Sequence, residues 1–332
     1  MRPHKESFYS ACRSTHGLQL SGTFIRVTTT GISRTVLVAN QKGGVGKSSI
    51  VSAVAGMVAA AGRRVLVVDA DQQANVSASD LGVEGDGGRG LSMALQFAQA
   101  LTPVRDVRPN LDVIAGGPAL AVVASVAATA AQTGIDLRRN LTQTLNNLND
   151  AEKYDLVLID SGPGDAPLLE ALLGTARYLV VPTKDDDASL SGVELLAMRY
   201  LRARKAGSSI QLLGVVLFDT NPRATARNRE VFEQVNELLE GSGADPFETF
   251  IRSDRAAAVD LRTRHLTPLE LVDVAESDQK NRLQRLRQKN KSTDRLWSRD
   301  PSGLASDYQG LTREILGRVA NVERDAVAGG VA

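Results

Sequence analysis

Cysteine and aromatic residues are scarce in this 332-residue sequence. Cys12 is the single cysteine, so one chain can form no internal disulfide, no all-cysteine zinc site and no iron–sulfur cluster. This cysteine usage predicts a cytoplasmic protein. Aromatic residues make up 4% of the chain, which argues against base stacking as its main activity.

Long apolar runs are also missing. Residues 1–34 carry charged and polar side chains throughout, which predicts a flexible lead-in and not a signal peptide. The longest uncharged stretch, residues 113–135, contains Gly116-Gly117-Pro118 followed mostly by alanine. Because alanine contributes little to membrane insertion and Gly-Gly-Pro interrupts a helix, this stretch predicts a strand end and a buried helix, with no membrane association.

The sequence does contain short runs of β-branched residues that alternate with longer helical patterns. The runs are nearly continuous in apolar residues, which is typical of strands covered on both faces. They span residues 35–40, 64–70, 111–115, 154–160, 177–182 and 212–218, and the clearest helical patterns span 48–61, 137–148, 189–205 and 224–239. The alternation predicts an α/β fold, a mostly parallel twisted sheet with helices on both faces. Ligands of such sheets bind beyond the carboxyl ends of the strands.

A glycine-rich loop follows the first run. Gly46-Lys47-Ser48 closes the phosphate-loop pattern G-x-x-x-x-G-K-[ST], although Gln41 stands where the first glycine is usual. Glycines let backbone N–H groups turn toward phosphate oxygens, and the following helix adds its positive end. Lysine would reach the β- and γ-phosphates and the serine hydroxyl would bind Mg²⁺. The predicted ATP-binding residues are Lys42, Gly43, Gly44, Val45, Gly46, Lys47, Ser48 and Ser49, to which Asn221 is added below.

Carboxylates end two further runs. Asp160 closes the run LVLID, the position of an acid that holds Mg²⁺ directly or through water. Asp69 and Asp71 are two residues apart, so both side chains can point to the same side of their strand. One of the two would complete the metal's water shell and the other would orient the attacking water.

These motifs together resemble the deviant-Walker ATPases of the ParA/MinD family. The resemblance rests on KGGVGKSS, on RVLVVDADQQAN and on DLVLID, and is closest to the ParA-type partition ATPases. It implies a single P-loop NTPase domain, an ATP-dependent sandwich dimer and ATP hydrolysis with Mg²⁺. Lys42 would be the signature lysine that reaches the partner's phosphates, Lys47 would bind phosphate and Asp71 would position the water. Ser48, Asp69 and Asp160 would serve the metal, and Asn221 would contact the adenine.

The sequence departs from the family pattern at two positions. Gln72 replaces a usual proline, and Asp160 is followed by Ser-Gly-Pro-Gly where the family has x-Pro-Pro. The resemblance covers roughly residues 35–275 and a final helix near 304–322. The predicted organisation is therefore a lead-in (1–34), an ATPase domain (35–275), a basic insertion or linker (276–303) and a C-terminal helix that packs on the core with a tail (304–332).

Charge is segregated along the chain although the net charge is +1. Residues 35–198 contain 12 basic and 18 acidic side chains, whereas residues 199–299 contain 19 basic and 14 acidic ones. A solvated surface would show the same bias, but a basic third also suits the phosphate backbone of DNA. The candidate DNA contacts are Arg223, Arg227, Arg252, Arg255, Arg282, Arg285 and Arg287.

The function that this resemblance implies is that of a ParA-like partition ATPase. It would bind non-specific DNA as an ATP-dependent homodimer and hydrolyse ATP when a ParB-like adaptor stimulates it, segregating plasmid or chromosomal DNA on the nucleoid. The main alternative is a MinD-like ATPase that positions protein cargo on the membrane or nucleoid. A biosynthetic or metal-delivery enzyme on the same fold and a nucleotide switch with little turnover are further alternatives; the single cysteine disfavours metal-cluster delivery.

Overall fold

A computed structural model describes residues 34–288 and 296–329. Its centre is one eight-stranded sheet in the order β3-β4-β2-β5-β1-β6-β7-β8, in which β3 is antiparallel to β4 and the other pairs are parallel. The strands are β1 (Thr35–Val38), β2 (Val65–Ala70), β3 (Val104–Arg108), β4 (Leu111–Ile114), β5 (Leu156–Ser161), β6 (Tyr178–Thr183), β7 (Gln211–Thr220) and β8 (Ile251–Arg252). The α/β fold predicted from the alternating pattern is confirmed.

Helices cover both faces of the sheet. They are α1 (Lys47–Ala60), α2 (Arg89–Phe97), α3 (Val122–Thr133), α4 (Leu137–Glu152), α5 (Ala166–Thr175), α6 (Asp187–Lys205), α7 (Thr225–Leu238), α8 (Arg255–Arg264), α9 (Pro268–Gln288) and α10 (Ser302–Gly329). A π-helical turn spans Asn75–Asp80 and a 3-10 turn spans Pro118–Ala121. One core lies between the sheet and α2–α7, and the other lies between the sheet and α1, α8, α9 and α10.

Strand β1 lies near the centre of the sheet, paired with β5 on one side and β6 on the other. All four of its residues are buried, which explains the continuous apolar run. The chain leaves β1 at the carboxyl edge and enters α1, so the phosphate loop sits where β5 and β2 also end. The fold thereby gathers the glycines and the carboxylates at one edge.

Two strands were missed by the sequence pattern. Strand β3 reads Val-Arg-Asp-Val-Arg and is largely exposed at the sheet edge, so it lacks a continuous apolar run. Strand β8 is two residues long and pairs with β7. Both lie at the edges of the sheet: β3 is too exposed to need a continuous apolar run, and β8 is too short to show one although Ile251 is buried. The uncharged stretch at 113–135 forms the end of β4, the 3-10 turn and α3, so the predicted order of strand and helix is correct. The predicted burial of the helix is wrong, because between Val122 and Thr129 the only buried residue is Val123, and the small alanine, serine and threonine side chains around it bury little apolar area.

The C-terminal helix α10 packs on the core. Leu304, Tyr308, Leu311, Ile315 and Val319 are buried against α1, α9 and the sheet. The side chain of Arg318 donates hydrogen bonds to the carbonyl oxygens of Leu213, Asp245 and Pro246 at 2.6–2.7 Å. Its guanidinium also lies 4.1 Å from the centre of the Phe247 ring. Apolar contacts and one arginine therefore attach α10 to β7.

The structure describes the chain around both predicted ends of the ATPase domain, near residues 35 and 275. Arg34 forms an ion pair with Glu323 of α10, with Nε and Oε1 2.9 Å apart, whereas the rest of the predicted lead-in lies outside the described residues. The boundary predicted at residue 275 falls inside α9, which runs unbroken to Gln288. The sequence after residue 275 predicts a linker because charged residues replace apolar ones in it, although helix α9 continues through this segment. No helix within residues 34–288 and 296–329 combines the length and the hydropathy required to cross a bilayer.

Candidate nucleotide site

The loop between β1 and α1 has the backbone geometry of an anion-binding turn. Gly44 and Gly46 adopt φ values of 75° and 91°, which favour glycine. A Cβ atom at Gly46 would overlap the ring of Phe218 on β7. Glycine is therefore required at residue 46 by both conformation and space.

Helix α1 begins differently from several other helices of the protein. Helices α4, α5, α6 and α8 each start with an aspartate whose carboxylate accepts a backbone N–H of the first turn. At α1 that position is Gly46, which has no side chain to cap the helix. The N–H groups at the start of α1 are therefore left to an external anion, which the positive end of the helix dipole favours.

Lys47 lies across this loop. Its Nζ donates a hydrogen bond to the carbonyl oxygen of Lys42 at 2.9 Å, and the residue is buried. Burial lowers the pKa of Lys47, while the nearby carboxylates of Asp160 and Asp71 act in the opposite direction. The ammonium group is thus held next to the acidic residues at the end of the neighbouring strands.

Ser48 and Asp160 are brought together. The Ser48 hydroxyl donates to Asp160 Oδ2 at 2.7 Å. Asp160 is fully buried, and its Oδ1 has no hydrogen-bond partner among the described residues. Burial, with Asp69 beside it in the β2–β5 register, raises the pKa of Asp160 well above its usual range. A buried carboxylate with a free oxygen next to a serine hydroxyl is a suitable pair of ligands for Mg²⁺.

Asp69 and Asp71 shape the loop that follows β2. Asp69 accepts hydrogen bonds from the backbone N–H of Asp71 (3.1 Å) and from both the N–H and the hydroxyl of Ser77 (2.8 and 2.7 Å). Asp71 accepts from the N–H of Gln73 and from the side chain of Asn75. Burial raises the pKa of Asp69 to about 6. Both oxygens of the predicted metal residue Asp69 are thus engaged within the protein, where they orient the turn that carries Asp71.

Two glycines behind these carboxylates were not identified as site residues from the sequence. A Cβ atom at Gly116 would lie 2.6 Å from the carbonyl oxygen of Asp71 and 2.7 Å from Asp69 Oδ1. A Cβ atom at Gly162 would lie 2.9 Å from Asp71 Oδ1. The available signal was their position, since each lies within two residues of the end of a strand at the carboxyl edge of the sheet.

Lys42 is exposed at the outer side of the loop. Its backbone N–H donates to Asn40 Oδ1 at 2.9 Å, and Asn40 Nδ2 donates to the carbonyl oxygen of Pro182 at 2.7 Å. Gly192 of α6 leaves room for this arrangement, because a Cβ atom there would lie 2.5 Å from Asn40 Oδ1 and 3.3 Å from Lys42 Cβ. The backbone of Lys42 is thus fixed by β1, β6 and α6, while its side chain faces solvent.

Asn221, the predicted adenine contact, lies just after β7 and is exposed. Its side-chain oxygen accepts from the N–H of Arg223 at 3.0 Å, and its carbonyl oxygen accepts from Asn228 of α7 at 2.9 Å. The preceding Asp219 has a φ of 61° and pairs with Lys184, with Nζ and Oδ2 2.8 Å apart. Asn221 therefore sits in a structured turn at the same edge as the phosphate loop.

The candidate DNA contacts have different environments. Arg223 and Arg255 are exposed, and Arg227 pairs with Glu230 at 3.2 Å. Arg252 is bound in a two-point ion pair by Asp307 of α10, with Nε–Oδ2 and Nη2–Oδ1 distances of 2.6 and 2.8 Å. The side chains of three further candidates lie outside the described part of the structure: Arg282, Arg285 and Arg287.

The residues present can be tested for a fit to a metal ion. Within residues 34–288 and 296–329, no group of three or more histidine, cysteine or carboxylate side chains is arranged around a common metal position. The Ser48–Asp160 pair offers one hydroxyl and one unpartnered carboxylate oxygen. This limited set fits Mg²⁺, which keeps several waters and takes further ligands from phosphates.

The fold and the site define a P-loop nucleotide-binding protein, and comparisons with known proteins place it in a family. A family model described as an AAA domain matches residues 33–211. The chain is 35% identical over 186 residues to the chromosome-partitioning ATPase Soj of Thermus thermophilus, covering 55% of this chain and 68% of that protein. The chain therefore belongs to the ParA-type partition ATPases, as the motifs predicted.

Solved structures share the fold at lower identity. A plasmid partition protein of Borrelia burgdorferi bound to AMPPNP matches with a TM-score of 0.59 and 18% identity, over 86% of this chain and 99% of that one. Cobyrinic acid a,c-diamide synthase of Mycobacterium smegmatis, with a bound ATP analogue and magnesium, matches with a TM-score of 0.58 and 24% identity, over 70% and 93%. Proteins with this fold carry out different reactions, so the function has to be inferred from the residues of the site and not from the fold alone.

Proposed function

We propose that this ATPase binds ATP with Mg²⁺ at the phosphate loop and uses hydrolysis to control binding to non-specific DNA. The observation that carries the nucleotide chemistry is the Ser48–Asp160 contact of 2.7 Å beside the buried Lys47. Together with the uncapped start of α1, it combines a metal-ligand pair, a cation and free N–H groups within one loop. The AMPPNP in the Borrelia relative and the ATP analogue with magnesium in the synthase support this reading.

Each residue of the site has a distinct role in this proposal. Ser48 and Asp160 hold Mg²⁺, which neutralises the charge that develops on the phosphates. Lys47 and the N–H groups from Gly43 to Ser49 bind the phosphate oxygens. Asp71, fixed by Gln73 and Asn75, positions the attacking water. Asp69 acts through its bonds to Asp71 and Ser77, and serves the metal through its water shell.

Replacing Asp71 tests the hydrolytic role. Asp71→Ala is expected to lower ATP turnover by about 100-fold or more, because the water loses the group that positions it. ATP-dependent dimerisation and DNA binding should be retained. Phosphate release and ATP-dependent co-elution with DNA are measured on the same preparation. Asp150→Ala, an exposed carboxylate of α4, is the control, and normal turnover in Asp71→Ala would contradict the assignment.

Lys42 is proposed to complete the site of a partner subunit. Its backbone is fixed by Asn40 while its side chain is exposed beside the loop, which suits a cation that reaches across a sandwich dimer. A cation supplied in trans stabilises transition-state charge and can contribute a factor of about 1000 or more.

The Lys42→Ala variant tests this contribution. We expect it to bind ATP as a monomer, because Lys47 remains, and to lose both the ATP-dependent dimer and stimulated hydrolysis. Size-exclusion chromatography with and without ATP measures the dimer, and a fluorescent ATP analogue measures nucleotide binding. Lys42→Arg should restore part of the dimer, whereas an intact dimer in Lys42→Ala would contradict the role in trans.

The proposed ligand of the ATP-bound dimer is the DNA backbone, with a ParB-like adaptor as the stimulating partner. The supporting features are the basic surplus of residues 199–299 and the exposed side chains of Arg223 and Arg255. Arg227 and the basic residues Arg282, Arg285 and Arg287 are further candidates. Binding to DNA of unrelated sequences should require ATP and fall steeply with salt, since each neutralised phosphate releases counterions. Absence of binding with any nucleotide would overturn this proposal.

The membrane alternative finds less support. The apolar residues of α10, including Leu311, Ile315 and Val319, are packed against the core, so they are not available to insert into a bilayer. We therefore propose a cytoplasmic, nucleoid-associated protein. ATP-dependent sedimentation with liposomes in the absence of DNA would favour the MinD-like alternative.

A further inference from the structure

Trp297 stands out on the surface of the C-terminal third. It is the only tryptophan of the chain and is 75% exposed. Exposed tryptophans that are held in a rigid backbone are characteristic of binding surfaces, because a large ring can bury much area at little entropic cost.

The backbone around Trp297 is firmly anchored. Asp260 of α8 is buried, and its carboxylate accepts the N–H of Trp297 at 3.1 Å and the N–H of Ser298 at 2.7 Å. The flanking Leu296 and Ser298 are both buried. Because its neighbours point inward, the chain presents the indole outward in a fixed position.

Two exposed cations belong to the segments that meet next to Trp297. Gln279 of α9 donates to the carbonyl oxygen of Arg299 at 2.8 Å, which brings the exposed Lys280 and Arg299 to the same part of the surface. Neither has an ion-pair partner among the described residues. Of the carboxylates on these segments, Asp260 is buried and accepts the two N–H groups, Asp278 has a partner within the protein, and Asp300 accepts the Ser302 hydroxyl and keeps its charge.

We infer that Trp297, Lys280 and Arg299 form a contact surface for DNA, in which the indole packs on sugar or base and the two cations bind adjacent phosphates. This inference rests on the proposed DNA-binding function and names a part of the protein that performs it. Apolar and aromatic side chains flanked by cations are a recurrent way to bind nucleic acid without reading its sequence. The two flanking cations favour this polyanion over a protein partner.

The single tryptophan allows a direct test in the full-length protein. With ATP present, duplex DNA of unrelated sequence is titrated while tryptophan emission and its quenching by acrylamide are recorded. Anisotropy of labelled DNA is measured in parallel. We expect emission to change, and acrylamide access to fall, over the same DNA concentrations that saturate the anisotropy.

Variants separate contact from folding. Trp297→Ala should weaken DNA binding by about fivefold or more, the range found for aromatic contacts to bases, and Trp297→Phe should retain most of it. Lys280→Ala combined with Arg299→Ala should lower the salt dependence, by about 0.9 in the log–log slope for each phosphate lost. Phe97→Ala is the matched control, since Phe97 is an aromatic residue 61% exposed on α2, at the opposite face of the sheet.

The outcomes distinguish this inference from the proposed function. DNA binding by anisotropy with unchanged emission and acrylamide quenching, or with unchanged affinity in Trp297→Ala, would overturn the Trp297 surface and leave DNA binding intact. Shielding of Trp297 by a protein partner but not by DNA would overturn it as well. If no DNA binds with any nucleotide, the proposed function fails, and this inference fails with it.

Discussion

The carboxyl edge of the central strands and the C-terminal third of the chain both concentrate charged side chains, and they differ in how these are paired. At the edge, Lys47, Asp71 and Asp160 are buried next to one another, and Asp160 Oδ1 has no hydrogen-bond partner within the part of the chain that the structure describes. In the C-terminal third, Arg252 and Arg318 are bound to groups of the protein itself. Buried charge with a free oxygen points to a ligand, whereas cations whose hydrogen bonds are filled point to structure.

The predicted DNA contacts also differ in whether the protein itself pairs them. Arg252 is bound by Asp307, whereas Arg255, three residues later at the start of α8, is exposed. Exposure and freedom from ion pairs are needed for a cation that exchanges counterions for phosphates. A basic composition by itself therefore overstates the surface available to DNA.

The largest expected effect is on ATP turnover, and it follows from replacing Asp160, whose Oδ1 has no hydrogen-bond partner among the described residues. Asp160→Asn is expected to lower Mg²⁺-dependent ATP turnover by about 100- to 1000-fold, because the neutral amide is a poorer ligand for the cation that stabilises the phosphate charge. Removal of Mg²⁺ by a chelator should reduce the wild-type rate similarly. Phosphate release measures both effects.

Its control is on the same segment of chain. Asp155 lies just before β5, at the opposite end of that strand, and its carboxylate accepts the N–H of Arg64 at 2.9 Å. Asp155→Asn keeps an acceptor there and should leave turnover unchanged. If both variants lost turnover equally, the loss would reflect the strand and not the metal site.

A smaller effect, on stability, is expected at Arg318. Arg318→Ala leaves the carbonyl oxygens of Leu213, Asp245 and Pro246 without this donor and removes the contact with Phe247. We expect the free energy of unfolding to fall by about 2–3 kcal/mol. Urea denaturation followed by circular dichroism measures it. Arg313→Ala, an exposed position of the same helix, should change it by less than about 0.5 kcal/mol, and equal losses would refute the structural role.

The smallest expected effects distinguish a structural role of Arg252 from a DNA-binding role of Arg255. Arg252→Ala should lower the free energy of unfolding by about 1 kcal/mol, because a partly exposed ion pair contributes modestly. Arg255→Ala should leave stability unchanged and reduce the slope of log affinity against log salt by about 1. Chemical denaturation and DNA titration at several salt concentrations measure the two quantities. A stability loss in Arg255→Ala with unchanged DNA binding would reverse the assignment.

Burial decides which elements of this fold can be predicted from the sequence. The strands at residues 35–40, 64–70 and 154–160 are recognisable because two-sided burial demands continuous apolar runs, and β1, β2 and β5 follow them closely. The glycine loop and the carboxylates at strand ends are predictable for the same reason, since parallel strands deliver their carboxyl ends to one edge. Edge strand β3 was not predicted because it is weakly buried, and β8 was not predicted because two residues form no recognisable pattern.

Sequence by itself determined the phosphate loop, the parallel core and the family, because these depend on local spacing and on the periodicity of burial. Tertiary structure alone decided the partners of individual charges. Arg252 meets Asp307 and Arg318 meets Leu213 only after α10 docks on β7 and β8. Gly116 likewise matters because β4 ends beside the loop of Asp71. Such contacts join positions far apart in the chain, and local sequence carries no trace of the partner that folding supplies.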